Sequence, residues 1–344
     1  MVADIISQNY ISFPGLGIEP FKMDPVLFRI GNTGIEVRWY GVLICIGMLL
    51  AFWYATTRAK VEKIKFDDIL DMTLFLLIFG IIGARLYYVI FKFDEFVESG
   101  NIGKTLYNMV AIWNGGIAIY GAVIAGIITI LVFAKVKRMR PAVLVDVAAP
   151  AVMIGQILGR WGNFTNSEAY GRETESFIRM GIMKSLDNGE TFFSTKYVHP
   201  TFLYESLWNL LGFILIAIFY KKKKYHGQIF LMYMTWYGFG RMFIEGLRTD
   251  SLYIGSVRVS QLLAGVFFVV GLALLIVNEV KLRKYAPEVA EGDEAAEDDD
   301  PEAAGSDDTV VDGEDGAADE SDESDDDDRD VEDAGSDDGD DIGE

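Results

Sequence analysis

Seven stretches of this chain, at about 40–57, 69–92, 117–134, 142–160, 202–220, 228–246 and 260–278, stay apolar long enough to cross a bilayer. Hydrocarbon offers the backbone no water to bond, so a run of this kind folds as a helix whose N–H and C=O groups satisfy one another. The expected fold is an all-α polytopic membrane protein of about seven transmembrane helices.

The charges between the runs fix a direction. Arg58, Lys60, Lys63 and Lys65 follow the first run, and Lys135, Lys137, Arg138 and Arg140 follow the third. Lys221, Lys222, Lys223 and Lys224 follow the fifth, and Lys281, Arg283 and Lys284 follow the seventh. The loop after the second run leans acidic, with Asp94, Glu95 and Glu98. Basic loops remain in the cytoplasm, so the N-terminus is expected outside and the C-terminus inside.

Composition agrees only once the charge is divided. The formal net charge is -21 although 51% of residues are hydrophobic. Residues 287–344 hold 30 Asp and Glu against the single Arg329, about -29, which leaves about +8 on residues 1–286. Such a tail repels itself and has little apolar surface to bury, so it reads as a disordered acidic cytoplasmic tail.

Residues 1–34 show no basic start followed by an apolar core, unlike a cleaved signal peptide. They read as an external segment with a β-hairpin, residues 26–30 and 35–40 flanking Gly31-Asn32-Thr33-Gly34. The region 35–286 is the transmembrane body, interrupted by an external β-arm at about 172–198 with a turn at Asp187-Asn188-Gly189. Cys45, the only cysteine, reads as a buried structural thiol. His199 and His226 make no metal site without carboxylates. Gly80, Gly83 and Ala84 allow a close helix approach, and Arg85 reads as a packing or headgroup contact. Asp71 and Asp146, near basic ends of their helices, read as cap-like or headgroup-facing.

The chemistry gathers at the other end. Where the fourth run stops, residues 159–171 read Gly-Arg-Trp-Gly-Asn-Phe-Thr-Asn-Ser-Glu-Ala-Tyr-Gly, bringing Arg160, Asn163 and Glu168 to the bilayer edge. An ionisable group at membrane depth costs about 2.5 to 3.5 kcal/mol and is normally paired or facing a polar cavity. In the sixth run Arg241, Glu245 and Arg248 stand at i, i+4 and i+7, on one helical face. That face is either an ion-pair ladder or, with Arg160, an anion site, since the planar guanidinium fork suits phosphate. Tyr120 lies near the start of the third run, and His199 opens the fifth, where it could cap, orient a carboxylate or relay a proton.

These stretches resemble the prolipoprotein diacylglyceryl transferase family of bacteria. Residues 159–171, Arg38-Trp39-Tyr40-Gly41, Asn114-Gly115-Gly116, residues 199–205 and residues 237–248 occur in the family's order, so the resemblance covers residues 20–280. It implies transfer of a diacylglyceryl group from phosphatidylglycerol to the lipobox cysteine thiol in the signal peptide of a preprolipoprotein. The partners are then that peptide and membrane lipid, with no nucleic acid, metal or cofactor. It also implies that Arg160 binds the lipid phosphate and Arg241 is the second essential arginine. Asn163, Glu168 and Gly171 match the rest of the signature, and Tyr40 and Tyr237 line the same cavity, with Glu245, Arg248 and His199 also contributing to binding. One position departs: where the family often has a histidine proposed as base, this chain has Tyr120. Tyr120, Glu168, Glu245 or the arginine cluster itself could then deprotonate the substrate thiol. A transporter reading would need charges lining a path across the whole membrane. An intramembrane protease would need a base beside Cys45.

Overall fold

The computed structural model describes residues 8–31, 34–98, 100–185, 191–249, 253–254 and 257–297. All seven apolar runs are helical: α1 (Trp39–Val61), α2 (Phe66–Phe91), then after a short α3 (Ile102–Val110), α4 (Ile119–Val136), α5 (Pro141–Thr165), α6 (Thr201–Phe219), α7 (Gln228–Glu245) and α8 (Val259–Glu297). Six of them are long and apolar enough to cross a membrane by length and composition; α7, which carries Arg241 and Glu245, is the one that is not. The helix α3 was not expected. It stands in the acid-leaning loop, with Asn101 Oδ1 accepting from the Lys104 amide at 2.9 Å as its N-cap.

Apolar does not mean buried here. Leu74, Ile78, Ile81 and Ile82 of α2 are exposed, as are Leu49 and Trp53 of α1, because lipid rather than protein is their solvent. The same fact corrects the reading of Cys45, which is exposed on α1 beside Ile46 and Leu49. The interior is a narrower seam. Ala55, Ala59, Ile69, Met72, Phe133, Leu144 and Val147 join α1, α2, α4 and α5. Met153, Ile216, Tyr220 and Ile229 join α5, α6 and α7. Small residues set the closest approach: a Cβ on Gly83 would stand 2.4 Å from that of Ala125 and 2.7 Å from the Gly121 carbonyl, so α2 and α4 touch backbone to backbone.

Strands lie at the end of the bundle opposite the basic loops. β1 (Gln8–Phe13), β2 (Ile18–Lys22), β3 (Val26–Arg29) and β4 (Glu36–Arg38) precede α1, and β5 (Met180–Ser185) and β6 (Phe192–Val198) lie between α5 and α6. The hairpin β3–β4 and the arm β5–β6 pair antiparallel as expected. Their turn residues Asn32, Thr33 and Asp187-Asn188-Gly189 lie outside the described residues. Unforeseen was β1, which pairs with β5 in a four-stranded sheet of order β2-β1-β5-β6. Ile11, Phe13, Met180 and Val198 press that sheet onto Phe202 of α6. A last two-stranded ladder, β7 (Tyr253–Ile254) with β8 (Val257–Arg258), leads into α8.

Compactness divides the chain at Glu288. Of the second unit, residues 289–344, only the helical stretch ending at Glu297 is described, so the helix continues past Pro287. The expected disorder of the remaining tail lies outside the described residues.

Candidate active site

A buried carboxylate organises the site. Glu205, in the first turns of α6 and 3% exposed, forms ion pairs with three arginines of two other segments. Arg160 Nη2 lies 2.7 Å from its Oε2, Arg241 Nη1 lies 2.7 and 2.8 Å from its two oxygens, and Arg248 Nη1 lies 3.6 Å from Oε1. Glu245, also buried, takes the other side of the pair: its Oε2 is 2.5 Å from Arg241 Nη2 and 3.9 Å from Arg248 Nε. Among the described residues, three guanidiniums meet these two carboxylates.

Local structure explains the convergence. Arg160 and Asn163 occupy the last turns of α5, where Arg160 Nη1 donates to Asn163 Oδ1 at 3.2 Å. Asn163 Nδ2 in turn donates to Glu168 Oε1 at 3.0 Å, and Asn166 Nδ2 to the same oxygen at 3.3 Å. Glu168 is exposed and holds these amides rather than an arginine. Gly162 admits Tyr40: a Cβ there would stand 2.4 Å from the tyrosine Cδ2. Gly171 brings the end of the signature against α7, since its amide donates to the His199 carbonyl at 2.9 Å and it bridges Arg248. A Cβ on Gly171 would meet that of His199 at 2.7 Å.

Between α6 and α7, Trp208 and Trp236 stack at 4.3 Å and each indole N–H donates to the other's backbone carbonyl, at 3.0 and 2.9 Å. Gly240 lies under Trp208 and Gly212 under Trp236, where a Cβ would stand within 2.3 Å of the indole in either case. This reciprocal lock sits one turn beyond Glu205 and just short of Arg241, so it fixes the ion pair's two helices together. Stacked aromatics of this kind contribute about 0.5–1.5 kcal/mol beyond their buried area. Beside it Glu205, Trp208, Asn209, Tyr237, Arg241 and Ile244 enclose a cavity of about 10 Å³, room for about one water.

The remaining expected residues are placed differently. His199 does not meet a carboxylate: its Nδ1 lies 3.2 Å from the Tyr204 hydroxyl. Burial, with Arg172 nearby, holds its pKa below the ordinary histidine value. Tyr120 stands at the start of α4, with its hydroxyl 2.8 Å from Ser260 Oγ of α8 and its ring against Tyr87. Its described contacts include none of the three arginines. Arg85 proves to be a packing group: its guanidinium donates to the carbonyls of Asn108, Met109, Ala111, Gly115 and Gly116, tying the segment before α4 to α2. Asp71 pairs with Lys137 at 3.1 Å. Asp146 is wholly buried and cap-like rather than headgroup-facing.

Sequence reasoning missed Glu205 as the hub. It is the lone charged residue in the apolar helix Thr201–Phe219, and an unaccompanied carboxylate at that depth is itself a signal of a buried partner.

The family profile described as prolipoprotein diacylglyceryl transferase matches residues 25–277. Similar relatives carry the name phosphatidylglycerol–prolipoprotein diacylglyceryl transferase. The protein of Streptococcus pneumoniae (strain ATCC 700669 / Spain 23F-1) is 45% identical over 267 residues, 77% of this chain and 97% of its own length. That of Listeria innocua serovar 6a is 42% identical over 269 residues, 78% of this chain and 94% of its own. That of Streptococcus suis (strain 05ZYH33) is 41% identical over 262 residues, 76% and 94%. With a profile spanning the helical body and relatives covered almost end to end, the chain belongs to the prolipoprotein diacylglyceryl transferase family.

Proposed function

We propose that this protein, a multi-pass enzyme of the bacterial membrane, moves the diacylglyceryl group of phosphatidylglycerol onto the lipobox cysteine of a preprolipoprotein signal peptide, the first step of lipoprotein maturation. The observation that carries the reading is the convergence of Arg160, Arg241 and Arg248 on Glu205 at one end of the bundle. Basic loops at the opposite end support an external site, with the N-terminus outside and the C-terminus in the cytoplasm.

In the reaction the thiol loses its proton, the thiolate attacks the glyceryl carbon and a C–S bond forms. The C–O bond to phosphate breaks, its electron pair leaves with the phosphate, and glycerol phosphate is released. Charge therefore grows on the phosphate oxygens. Arg160 and Arg241 stabilise it, and preorganised donors of this kind are worth about 3 kcal/mol each. Glu205 keeps the two forks at a common depth until the lipid phosphate takes over part of their bonding. Asn163 orients Arg160, Gly171 holds Arg248 in place, and Tyr40, Tyr237, Glu245 and His199 line the lipid's position. The cationic surroundings also lower the substrate thiol's pKa from about 8.5. The groups offered for the proton are Tyr120 as phenolate, Glu168 and Glu245; otherwise the arginine cluster itself lowers the thiol's pKa enough for it to ionise.

The test is transfer of labelled diacylglycerol from phosphatidylglycerol to a lipobox peptide by purified protein. Wild type transfers, and Arg241→Ala does not. Loss in Tyr120→Phe with activity kept in Tyr120→His assigns the proton to Tyr120, whereas full activity in Tyr120→Phe moves that role elsewhere, to Glu168, Glu245 or the arginine cluster. No transfer by wild type sinks the reading.

A further inference from the structure

The end of the bundle away from the site holds a second buried charge cluster. Asp146 lies in the second turn of α5 and is 0% exposed. Its Oδ2 accepts from the Gly227 amide at 2.7 Å and its Oδ1 from the Phe230 amide at 2.9 Å, the first N–H groups of α7. A helix start leaves such donors without internal partners, and an anion there also meets the positive end of the helix dipole. Capping is ordinarily done by the residue just before the helix. Here Gly227 occupies that position and has no side chain, so the cap comes from another helix. Lys223 Nζ closes the cluster, 3.1 Å from Asp146 and 2.6 Å from the buried Glu62 at the end of α1.

The spacing gives this cap a consequence. Both α5 and α7 run from the basic end toward the site. Arg160 lies fourteen residues beyond Asp146, and Arg241 lies fourteen beyond Gly227. At 1.5 Å per residue each interval spans about 21 Å, so tying Asp146 to Gly227 brings the two arginines to the same depth. There both bond one carboxylate, Glu205. Partway along, Gln156 Nε2 donates to the Tyr233 hydroxyl at 3.0 Å, a second tie between the same helices.

We propose that Asp146 is a positioning residue for the transfer reaction: by capping α7 from α5 it sets the axial register in which Arg160 and Arg241 face one phosphate. The proposal rests on the reading of those arginines given above. A displacement of about 1 Å at the reacting groups can cost on the order of a hundredfold in rate, so a remote register fault is readable in turnover. Glu62 is the internal control. Replacing it removes a buried charge from the same cluster but leaves both cap bonds in place.

The experiment uses the full-length protein in detergent as wild type, Asp146→Asn, Asp146→Glu and Glu62→Gln, with kcat, KM for the peptide and Tm measured on each. Register is read separately, by the efficiency of cross-linking cysteines placed at Gln156 and Tyr233 in a Cys45→Ala background. Asp146→Asn is expected to lower kcat at least tenfold per folded molecule, leave KM for the peptide within about twofold, and change the preferred cross-linker length. Glu62→Gln lowers Tm but keeps kcat within about twofold and the cross-linking unchanged. If Asp146→Asn does not fold, Asp146→Glu carries the test, because it keeps the charge and lengthens the cap by one methylene. A folded Asp146 variant with wild-type kcat and wild-type cross-linking overturns the proposal. Failure of wild type to transfer would sink the functional reading instead, while the cross-linking would still decide the register.

Discussion

The two ends of the bundle both bury charge, and they differ in the cations that hold it. At the basic end Glu62 and Asp146 share Lys223, with Arg58 stacked over the rings of Tyr54 and Tyr220. At the other end three arginines share Glu205 and Glu245, and the arginine side chains, at 11–20% exposure, are the more open partners. Guanidiniums converging on one carboxylate present the planar fork that suits a phosphate, a geometry the single ammonium of Lys223 does not offer.

The contrast can be broken by removing cations from the site end. Arg241→Ala leaves both carboxylates short of a partner and is expected to lower transfer by a hundredfold or more, measured as kcat per folded enzyme. Arg160→Lys keeps the charge but not the fork, and on the order of a hundredfold loss of transfer is expected; activity near wild type would show that a point cation suffices. Glu205→Gln removes the hub while all three arginines remain. Breaking a buried pair of this kind costs about 3 kcal/mol, so a clear fall in Tm is expected in thermal unfolding.

Smaller effects sharpen the same picture at the rim. His199 has a folded pKa below its unfolded value of 6.5, so its neutral form favours the fold. Stability is whole above about pH 6.5 and is lost in part as pH falls through that value toward the folded one. In His199→Gln that part of the pH dependence of Tm disappears, and an unchanged profile would refute it. Removing residues 298–344, which carry 25 of the chain's 51 acidic residues, is expected to leave kcat within twofold of wild type.

The helical runs and both β-hairpins were legible because bilayer length and turn signals act residue by residue. So was the Arg241–Glu245 face, set by local helical period. What escaped depends on contacts between distant segments. Glu205 becomes a hub only when α5, α6 and α7 meet, and the pairing of β1 with β5 joins residues 8–12 to residues 181–185. Cys45 was misread because apolar surroundings in a membrane protein are often lipid. The reciprocal Trp208–Trp236 lock leaves no local periodicity to detect.

The most direct measurement of the central claim is phosphatidylglycerol binding to the purified full-length protein, titrated in detergent for wild type, Arg160→Lys and Glu62→Gln. The account predicts saturable binding by wild type and Glu62→Gln, weakened at least tenfold in a folded Arg160→Lys. Equal affinity in all three would contradict it, because the Arg160 fork would then not be what the lipid phosphate meets.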